Sequence, residues 1–537
     1  MDSKKTHLLR EKKDIYFYVA ISLIFIGIAI LSIGDYITYD ESYSLLTTSK
    51  SAGHAYEKAL LFELQPPLYY VFLSVWRDIN SSIYFARLLS VVFLAISAFP
   101  IKALLKRLFG KRHQILTIIF LTNIVMLTYS LEIRYITLVL LWAAIIEYLF
   151  LTTYFSEKSK VSLRVLYVAV SILGVYTQYY FSFLLIANFL ILLGLAGKKM
   201  AKRYLIDMAW PVLSLVLLIS YIKYQVSWSE SHCSLEFSIP LFFKLIYFHT
   251  KFLLISFFEP IKFFFLKLFP SSGNIIDFFG QPFTLGALAM AFIWARRKSF
   301  INLTKHNNYQ YILKSIILLI FFAFLAIQLN FTSLYLRYLV LLFIPVWIII
   351  FEMMNLIRNV KIFFVVSYLL ILSSLGFFTY NKIQHPKGHN NLLVSSYVMQ
   401  NEGAGENIFV YKNYLDLVLK HSYEGKNTIF PIPEAITPDK NYHQIDWHIS
   451  GASQVDSILK RHYSDTIWLI TRDNSYHESK FCVDAKDEIL NQYVGNHFDL
   501  LSDKRFGEIH IQRLKWINER PKRMMKSDQA ALDRKKI

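Results

Sequence analysis

Asp40 and Glu41 form an acidic pair just after the first apolar segment, inside a polar loop that runs from 34 to 82. A carboxylate at the water–lipid boundary can accept a proton from an attacking hydroxyl, and its neighbour can hold a divalent cation or orient the base. The same residues suit the first turn of a helix, where acidic side chains stabilise the N-terminus. The pattern leaves both roles open, and the two are compatible.

Arginines at the ends of predicted apolar helices form a second set of candidates, namely Arg87, Arg134 and Arg337. The planar guanidinium suits phosphate oxygens, and it can stabilise the charge that develops on a leaving phosphate. Snorkelling, or pairing with a local carboxylate such as Glu132, is the better explanation of any single arginine. Three arginines at one predicted depth favour the phosphate interpretation.

Metal ligation is less clearly indicated. Glu41, Glu63 and His249 are candidates on the predicted external side, but they do not stand in the spacing of a metal motif. Cys233 and Cys482 also lack metal or redox spacing, and nothing in the sequence requires them to pair. A divalent metal stays open as a cofactor.

Apolar helices must position these residues. The 537-residue chain is 55% hydrophobic and 17% aromatic, which is more apolar than soluble domains usually are. Runs of about 20 apolar residues recur, and this length spans a bilayer as a helix. We expect a polytopic α-helical membrane protein with about eleven transmembrane helices. The predicted spans are 15–33, 83–104, 115–131, 136–155, 165–181, 183–197, 204–224, 282–295, 312–331, 338–354 and 362–380.

Lys and Arg residues cluster in every second connection between these spans, which is the pattern of loops that stay in the cytoplasm. This pattern predicts a multi-pass protein of the plasma (inner) membrane with a cytoplasmic N-terminus and an external C-terminal region. It also explains the formal net charge of +19 without nucleic acid as a partner. One additional span would instead place the C-terminal region in the cytoplasm.

The composition changes after residue 380, where short strand-like runs alternate with helical patterns. This alternation predicts a membrane domain over 1–380, a small external α/β domain over 381–515, and a basic, disordered tail over 516–537. The α/β region contains no glycine-rich nucleotide loop.

Three sequence elements together resemble the C-type (GT-C) glycosyltransferases, in particular the bacterial relatives of protein O-mannosyltransferases and of the lipid A aminoarabinose transferase. The acidic pair Asp40-Glu41 is similar to the pair in that family's first external loop. Gln65-Pro66-Pro67-Leu68-Tyr69-Tyr70 resembles its His-Pro-Pro-Leu element, with Arg87-Leu88-Leu89-Ser90 after it. Ser130-Leu131-Glu132-Ile133-Arg134-Tyr135 resembles its acid–x–Arg–Tyr turn. Gln65 stands where that family usually has His or Lys. A neutral amide supplies no charge to a phosphate, so the role of the usual residue does not carry over directly to Gln65.

The resemblance implies transfer of a sugar from a polyprenyl-phosphate donor to an acceptor at the external face, with inversion at the anomeric carbon. Asp40 would activate the acceptor, and the arginines would hold the leaving lipid phosphate. The acceptor stays open between a glycan, a lipid and a protein. The implied catalytic residues are Asp40, Glu41 and Glu132, and the implied binding residues are Gln65, Tyr69, Arg87, Arg134, Tyr135 and Arg337.

Two other classes of function stay open. The first is a transporter or flippase for a lipid-linked glycan, although no internal repeat of the kind common in transporters is evident. The second is a non-catalytic membrane assembly protein that uses its C-terminal domain as a binding module. Clustering of the ionisable residues at one face disfavours the transporter.

Overall fold

A computed structural model describes residues 2–155, 160–229, 245, 247, 259–260, 262–263, 309–328, 339–384, 386–472 and 485–517. The chain divides into two compact units. The membrane unit comprises Met1–Asp35 and Tyr43–Pro386, and the α/β unit comprises Tyr36–Ser42 and Lys387–Ile537. The short segment Tyr36–Ser42, here called the acidic segment, therefore groups with residues far along the chain.

Helices make up the membrane unit over the residues that the structure describes. In chain order they are α1 (Asp2–Leu31), α2 (Tyr39–Thr47), α3 (Ala52–Leu61), α4 (Leu68–Ile79), α5 (Ile83–Phe109), α6 (His113–Leu121), α7 (Ile124–Ser130), α8 (Ile136–Tyr154), α9 (Val161–Thr177), α10 (Phe181–Leu195), α11 (Lys198–Leu215), α12 (Ile219–Ser229), α13 (Tyr309–Gln328), α14 (Val340–Asn355) and α15 (Val360–Gln384). The first residues of α2 belong to the acidic segment.

Within the ranges that the structure describes, five helical stretches, centred on α1, α5, α8, α11 and α15, are long and apolar enough to cross a membrane. Four shorter apolar helices are Val161–Thr177, Phe181–Leu195, Gln310–Leu325 and Val340–Asn355. The chain is thus a helical membrane protein. The predicted span 282–295 lies outside the described residues, and the total of about eleven spans stays a prediction.

The predicted span 115–131 is not one continuous helix, because it breaks between α6 and α7. Asn123 lies at the break, and its side-chain oxygen accepts the backbone N–H groups of Val125 and Met126, each at 3.1 Å. Its amide nitrogen donates to the Phe120 carbonyl at 2.5 Å. The asparagine thereby ends one helix and caps the next, which sets the direction of α7 toward the turn that carries Arg134.

Connections that are predicted to be cytoplasmic contact one another. Lys102 of α5 and Gln114 of α6 both bond Asp14 of α1, at 2.7 and 2.8 Å. Arg112, between α5 and α6, donates to the Asn355 side chain at 3.1 Å. The start of α1, the end of α5, the start of α6 and the end of α14 thus lie on one side, while the side of the membrane on which the termini lie stays a prediction.

One buried ion pair joins two membrane helices away from both ends. Lys314 of α13 donates to both carboxylate oxygens of Glu147 of α8 at 2.7 Å, and the two side chains are 0% and 1% exposed. An uncompensated charge at this depth would be costly, so each residue requires the other.

The α/β unit contains a five-stranded mixed sheet in the order β2-β1-β3-β5-β4. Strands β1 and β2 are parallel, β1 and β3 are parallel, and β5 is antiparallel to both β3 and β4. The strands are β1 (Asn407–Val410), β2 (Ile429–Pro431), β3 (Thr466–Arg472), β4 (Phe498–Phe506) and β5 (Ile509–Trp516). The helices are α16 (His389–Asn401), α17 (Tyr414–Leu419), α18 (Ala452–Arg461) and α19 (Ala485–His497).

Alternation along the strands gives the sheet two apolar faces. Phe409 and Leu469 lie on one face with Leu459 of α18 and Leu490 of α19. Ile408, Val410, Trp468 and Ile470 lie on the other with Val394 of α16 and Leu415 of α17. The unit is therefore a three-layer α/β/α sandwich, and its predicted external location is not tested by its fold.

Candidate active site

The acidic pair lies in the first turn of α2. Glu41 accepts hydrogen bonds from the backbone N–H of Thr38 at 2.8 Å and from its hydroxyl at 3.1 Å. This reach of an acidic side chain back to the residue before the helix is one half of a capping box, and Glu41 is 0% exposed. The helix-terminus interpretation of the pair thus applies to Glu41. Asp40 is half-buried.

Arg134 lies in the irregular turn between α7 and α8 and is 8% exposed. Its Nη1 donates to Glu63 at 3.0 Å, to the Ser44 hydroxyl at 3.0 Å and to the Tyr70 hydroxyl at 3.3 Å. The guanidinium therefore connects α2, the end of α3 and α4. These four residues are here called the Arg134 cluster.

The turn that carries Arg134 is fastened to α5. The Ser90 hydroxyl donates to the Glu132 carbonyl at 2.5 Å and lies 3.5 Å from the Arg134 carbonyl. Glu132 itself is half-buried, and its backbone makes this contact. Because Ser90 follows Arg87 in one motif and Glu132 belongs to another, two of the sequence motifs meet here.

Glu63 reaches Arg134 because the chain folds back after α3. Its backbone N–H donates to the Lys58 carbonyl at 3.0 Å, and the next residue, Leu64, has a positive φ of 55°. The Gln65 N–H then donates to the Ala59 carbonyl at 2.9 Å, and α4 begins after the two prolines.

Electrostatics in the Arg134 cluster favour a protonated phenol at Tyr70. Burial, reinforced by the Glu63 carboxylate, raises the pKa of Tyr70 well above its ordinary value. Tyr70 therefore stays neutral, and the guanidinium charge is offset by Glu63.

Arg87 takes a different position at the start of α5. It is 1% exposed, and its Nη1 donates to the Asp35 carbonyl at 2.9 Å. The Asp35 side chain forms an ion pair with Lys382 of α15, and both groups are buried. Arg87 and Lys382 thus hold the chain where α1 ends.

Amide and aromatic groups extend these contacts. Gln65 accepts a hydrogen bond from Gln178, in the connection between α9 and α10, at 3.2 Å. The Tyr69 ring packs edge-on against Tyr135 with centroids 6.5 Å apart. Loops that are predicted to lie on the external side therefore contact one another, just as the residues of the predicted cytoplasmic side do.

The structure brings several predicted site residues together, while two others lie outside the residues that it describes. Arg134 bonds the Pro-Pro motif through Tyr70, and Tyr69 contacts Tyr135. Arg337 and His249 lie outside the described residues. Among the parts of the chain that the structure describes, no group of three or more His, Cys, Asp or Glu side chains could hold a metal ion.

Sequence reasoning missed Ser44, Tyr70 and Lys382 as members of these clusters. Ser44 follows Asp40 by one helical turn, so α2 periodicity could have indicated it. Lys382 follows the last predicted span on the same side as Asp35, but local patterns give no signal for a partner 347 residues away.

No protein-family profile matches this sequence, and no curated protein matches it significantly. Among solved structures, ArnT from Cupriavidus metallidurans in the apo state aligns with a TM-score of 0.54 at 11% identity, over 94% of this chain and 98% of that one. The structure of the same protein bound to undecaprenyl phosphate aligns with a TM-score of 0.52 at 11% identity, over 93% and 97%. At this identity the likeness concerns the fold alone: the chain shares the overall fold of ArnT, a lipid A aminoarabinose transferase of the group that its motifs resemble.

Proposed function

We propose that this chain is a membrane glycosyltransferase that moves a sugar from a polyprenyl-phosphate donor to an acceptor at the external face. The observation that carries the proposal is the Arg134 cluster, in which a buried guanidinium joins the loop after α3, the Pro-Pro motif and the turn before α8. ArnT, which shares the fold, was crystallised with undecaprenyl phosphate.

In the proposed reaction the acceptor hydroxyl attacks the anomeric carbon of the donor sugar. The bond from that carbon to the phosphate oxygen breaks, and the lipid phosphate leaves with the electron pair. Arg134 stabilises the charge that grows on the phosphate, and Asp40 takes the proton of the hydroxyl. Attack opposite the leaving group inverts the anomeric centre.

Glu63 gives the site a way to admit the donor. The carboxylate neutralises Arg134 while the site is empty, so the guanidinium is not buried with an unpaired charge. A donor phosphate that binds would neutralise part of the Arg134 charge in place of Glu63. Ser44 and Tyr70 place hydroxyl groups at the same guanidinium. Gln65 and Gln178 are neutral and would bond the sugar or the acceptor.

Arg87, Glu132, Tyr69 and Tyr135 support this arrangement in the proposal. Arg87 holds the start of the loop that leads to Asp40, since it bonds the Asp35 carbonyl. Arg337 would add a second charge for the phosphate.

The test is release of polyprenyl phosphate from purified protein incubated with a panel of polyprenyl-phosphate sugars, followed by mass spectrometry. Asp40→Asn should lower the rate by about 10²–10⁴-fold, the contribution of a general base. The matched control is Asp78→Asn, an exposed carboxylate at the end of α4, which should transfer at the normal rate. Normal transfer by Asp40→Asn would refute its role as base. Movement of intact donor across vesicles without cleavage would support the transporter instead.

A further inference from the structure

The topology of the α/β unit creates a crevice that usually binds ligands. From β1 the chain passes to β2 on one side, and from β2 it crosses to β3 on the other side of β1. The parallel strands β1 and β3 are therefore neighbours at a point where the strand order reverses. In open α/β sheets, ligands bind outside the carboxyl ends of the strands at such a point.

A side chain of the acidic segment lies at this crevice. Arg472 is the last residue of β3, and its guanidinium lies 4.4 Å from the centre of the Tyr39 ring. Tyr414 begins the helix that follows β1, and its ring packs edge-on against Tyr39 with centroids 5.4 Å apart. The Tyr39 hydroxyl donates to the Asn391 side chain of α16 at 3.2 Å. Tyr39 thus packs at the carboxyl end of β3, beside the start of the helix that follows β1.

Backbone contacts fix the same segment just before Tyr39. The Tyr36 N–H donates to the Lys387 carbonyl at 3.1 Å. Gly388 has a φ of +67°, and a Cβ there would lie 2.8 Å from the Ile37 carbonyl oxygen and 2.8 Å from the Tyr36 Cβ. Ile37 is 2% exposed. Glycine is required at 388 by its conformation and by this close approach.

Arg472 is itself held in place. Its guanidinium donates to Glu508 at 2.8 Å, and it contacts the rings of Tyr39 and Tyr414 as well. A guanidinium stacked on an aromatic face and bonded to a carboxylate has a defined orientation. The anchor for Tyr39 is therefore preformed by strand β3 and the residue that precedes β5.

We infer that the α/β unit positions the catalytic carboxylate, with Tyr39 and Arg472 as positioning residues. Tyr39 immediately precedes Asp40 in the first turn of α2, so fixing the Tyr39 ring fixes the rotation of that turn. The catalytic part of this inference rests on the proposed function, while the anchoring of the acidic segment does not.

The experiment compares Tyr39→Ala, Tyr39→Phe and Arg472→Ala with the control Tyr397→Ala in the full-length protein. Tyr397 packs on the same apolar face of the sheet, against Trp468 and Phe506. Hydrogen exchange of the amides of residues 36–42 is measured on each protein, together with kcat and donor KM for polyprenyl-phosphate sugar.

Tyr39→Ala and Arg472→Ala should speed exchange over 36–42 and lower kcat by about 10–10²-fold, as expected for a misplaced catalytic group, with donor KM nearly unchanged. Tyr39→Phe keeps the ring contacts and should have a kcat close to that of the parent protein. Tyr397→Ala should leave hydrogen exchange over residues 36–42 as it is in the parent protein.

Unchanged exchange in both alanine variants would overturn the anchoring, whatever the activity. Faster exchange with normal kcat would overturn the positioning role. A parent protein without transferase activity would count against the proposed function alone, because exchange is measured without turnover.

Discussion

Arg134 carries a positive charge that little water reaches, so its neighbours decide what the residue can do. Glu63 balances this charge at 3.0 Å, and the hydroxyls of Ser44 and Tyr70 accept further hydrogen bonds. The motif predicted Arg134 and gave the local carboxylate Glu132 as its partner under the structural alternative. The observed partner Glu63 lies 71 residues away, a pairing that depends on the fold-back after α3.

Neutral substitutions in the Glu63–Arg134 ion pair distinguish its contribution to stability from its contribution to sugar transfer. Glu63→Gln and Arg134→Gln should each destabilise the protein by about 3–5 kcal/mol, because each leaves one buried charge without its partner. The double variant removes both charges and should recover much of that stability. Its rate of sugar transfer should nevertheless remain about 10²-fold or more below the parent rate, because no guanidinium then stabilises the leaving phosphate.

The measurements are thermal unfolding in detergent and release of polyprenyl phosphate. A double variant that is both stable and fully active would show that Arg134 serves the fold alone. Recovery of stability without recovery of activity is the expected pattern.

At the scale of elements, the break between α6 and α7 directs the chain into the Arg134 turn. Counting apolar residues predicts one span over 115–131, because Thr122 and Asn123 are only a short polar interruption. Asparagine favours a helix N-cap, and this local signal decides the outcome. Strand β4 gives only a weak strand signal in the sequence, because it is an edge strand, largely exposed, whose charged residues hide the alternation.

The cap at Asn123 can be tested with a close pair of substitutions. Asn123→Ala removes the acceptor for two backbone N–H groups and should cost about 0.5–2 kcal/mol. Asn123→Ser retains a capping oxygen and should be milder in thermal unfolding. Transfer should fall more in the alanine variant, because α7 leads into the turn that bears Arg134. Indistinguishable alanine and serine variants would show that the break does not depend on the cap.

At the scale of the whole molecule, the described membrane helices make polar contacts at their ends, such as Lys102 with Asp14, and also along their length, as Lys314 does with Glu147. Composition and basic loops predicted the helical membrane class, and the motifs predicted the GT-C fold. Contacts such as Lys382 with Asp35, or Tyr39 with Asn391, join residues 347 and 352 positions apart. No local pattern specifies such partners, so the grouping of the acidic segment with the α/β unit could not be predicted.

The ion pair between α8 and α13 should matter for folding and not for chemistry. Glu147 lies 11 residues beyond the start of α8, about 16 Å along the helix at about 1.5 Å per residue. Glu147→Gln alone leaves Lys314 buried with an unpaired charge and should reduce the yield of folded protein. Glu147→Gln with Lys314→Met should restore the yield with normal kcat. Loss of activity in a well-folded double variant would instead assign the pair a role in turnover.

The packing of Tyr39 against Tyr414 and Arg472 has a consequence for biosynthesis. The acidic segment leaves the ribosome early, but strand β3 follows only after hundreds of further residues. At translation rates of about 5–20 residues per second, tens of seconds separate the two. A polypeptide released before its last strands are made would insert its helices and yet lack the contacts that hold Tyr39. Premature termination should therefore leave an inert membrane product rather than a partly active one.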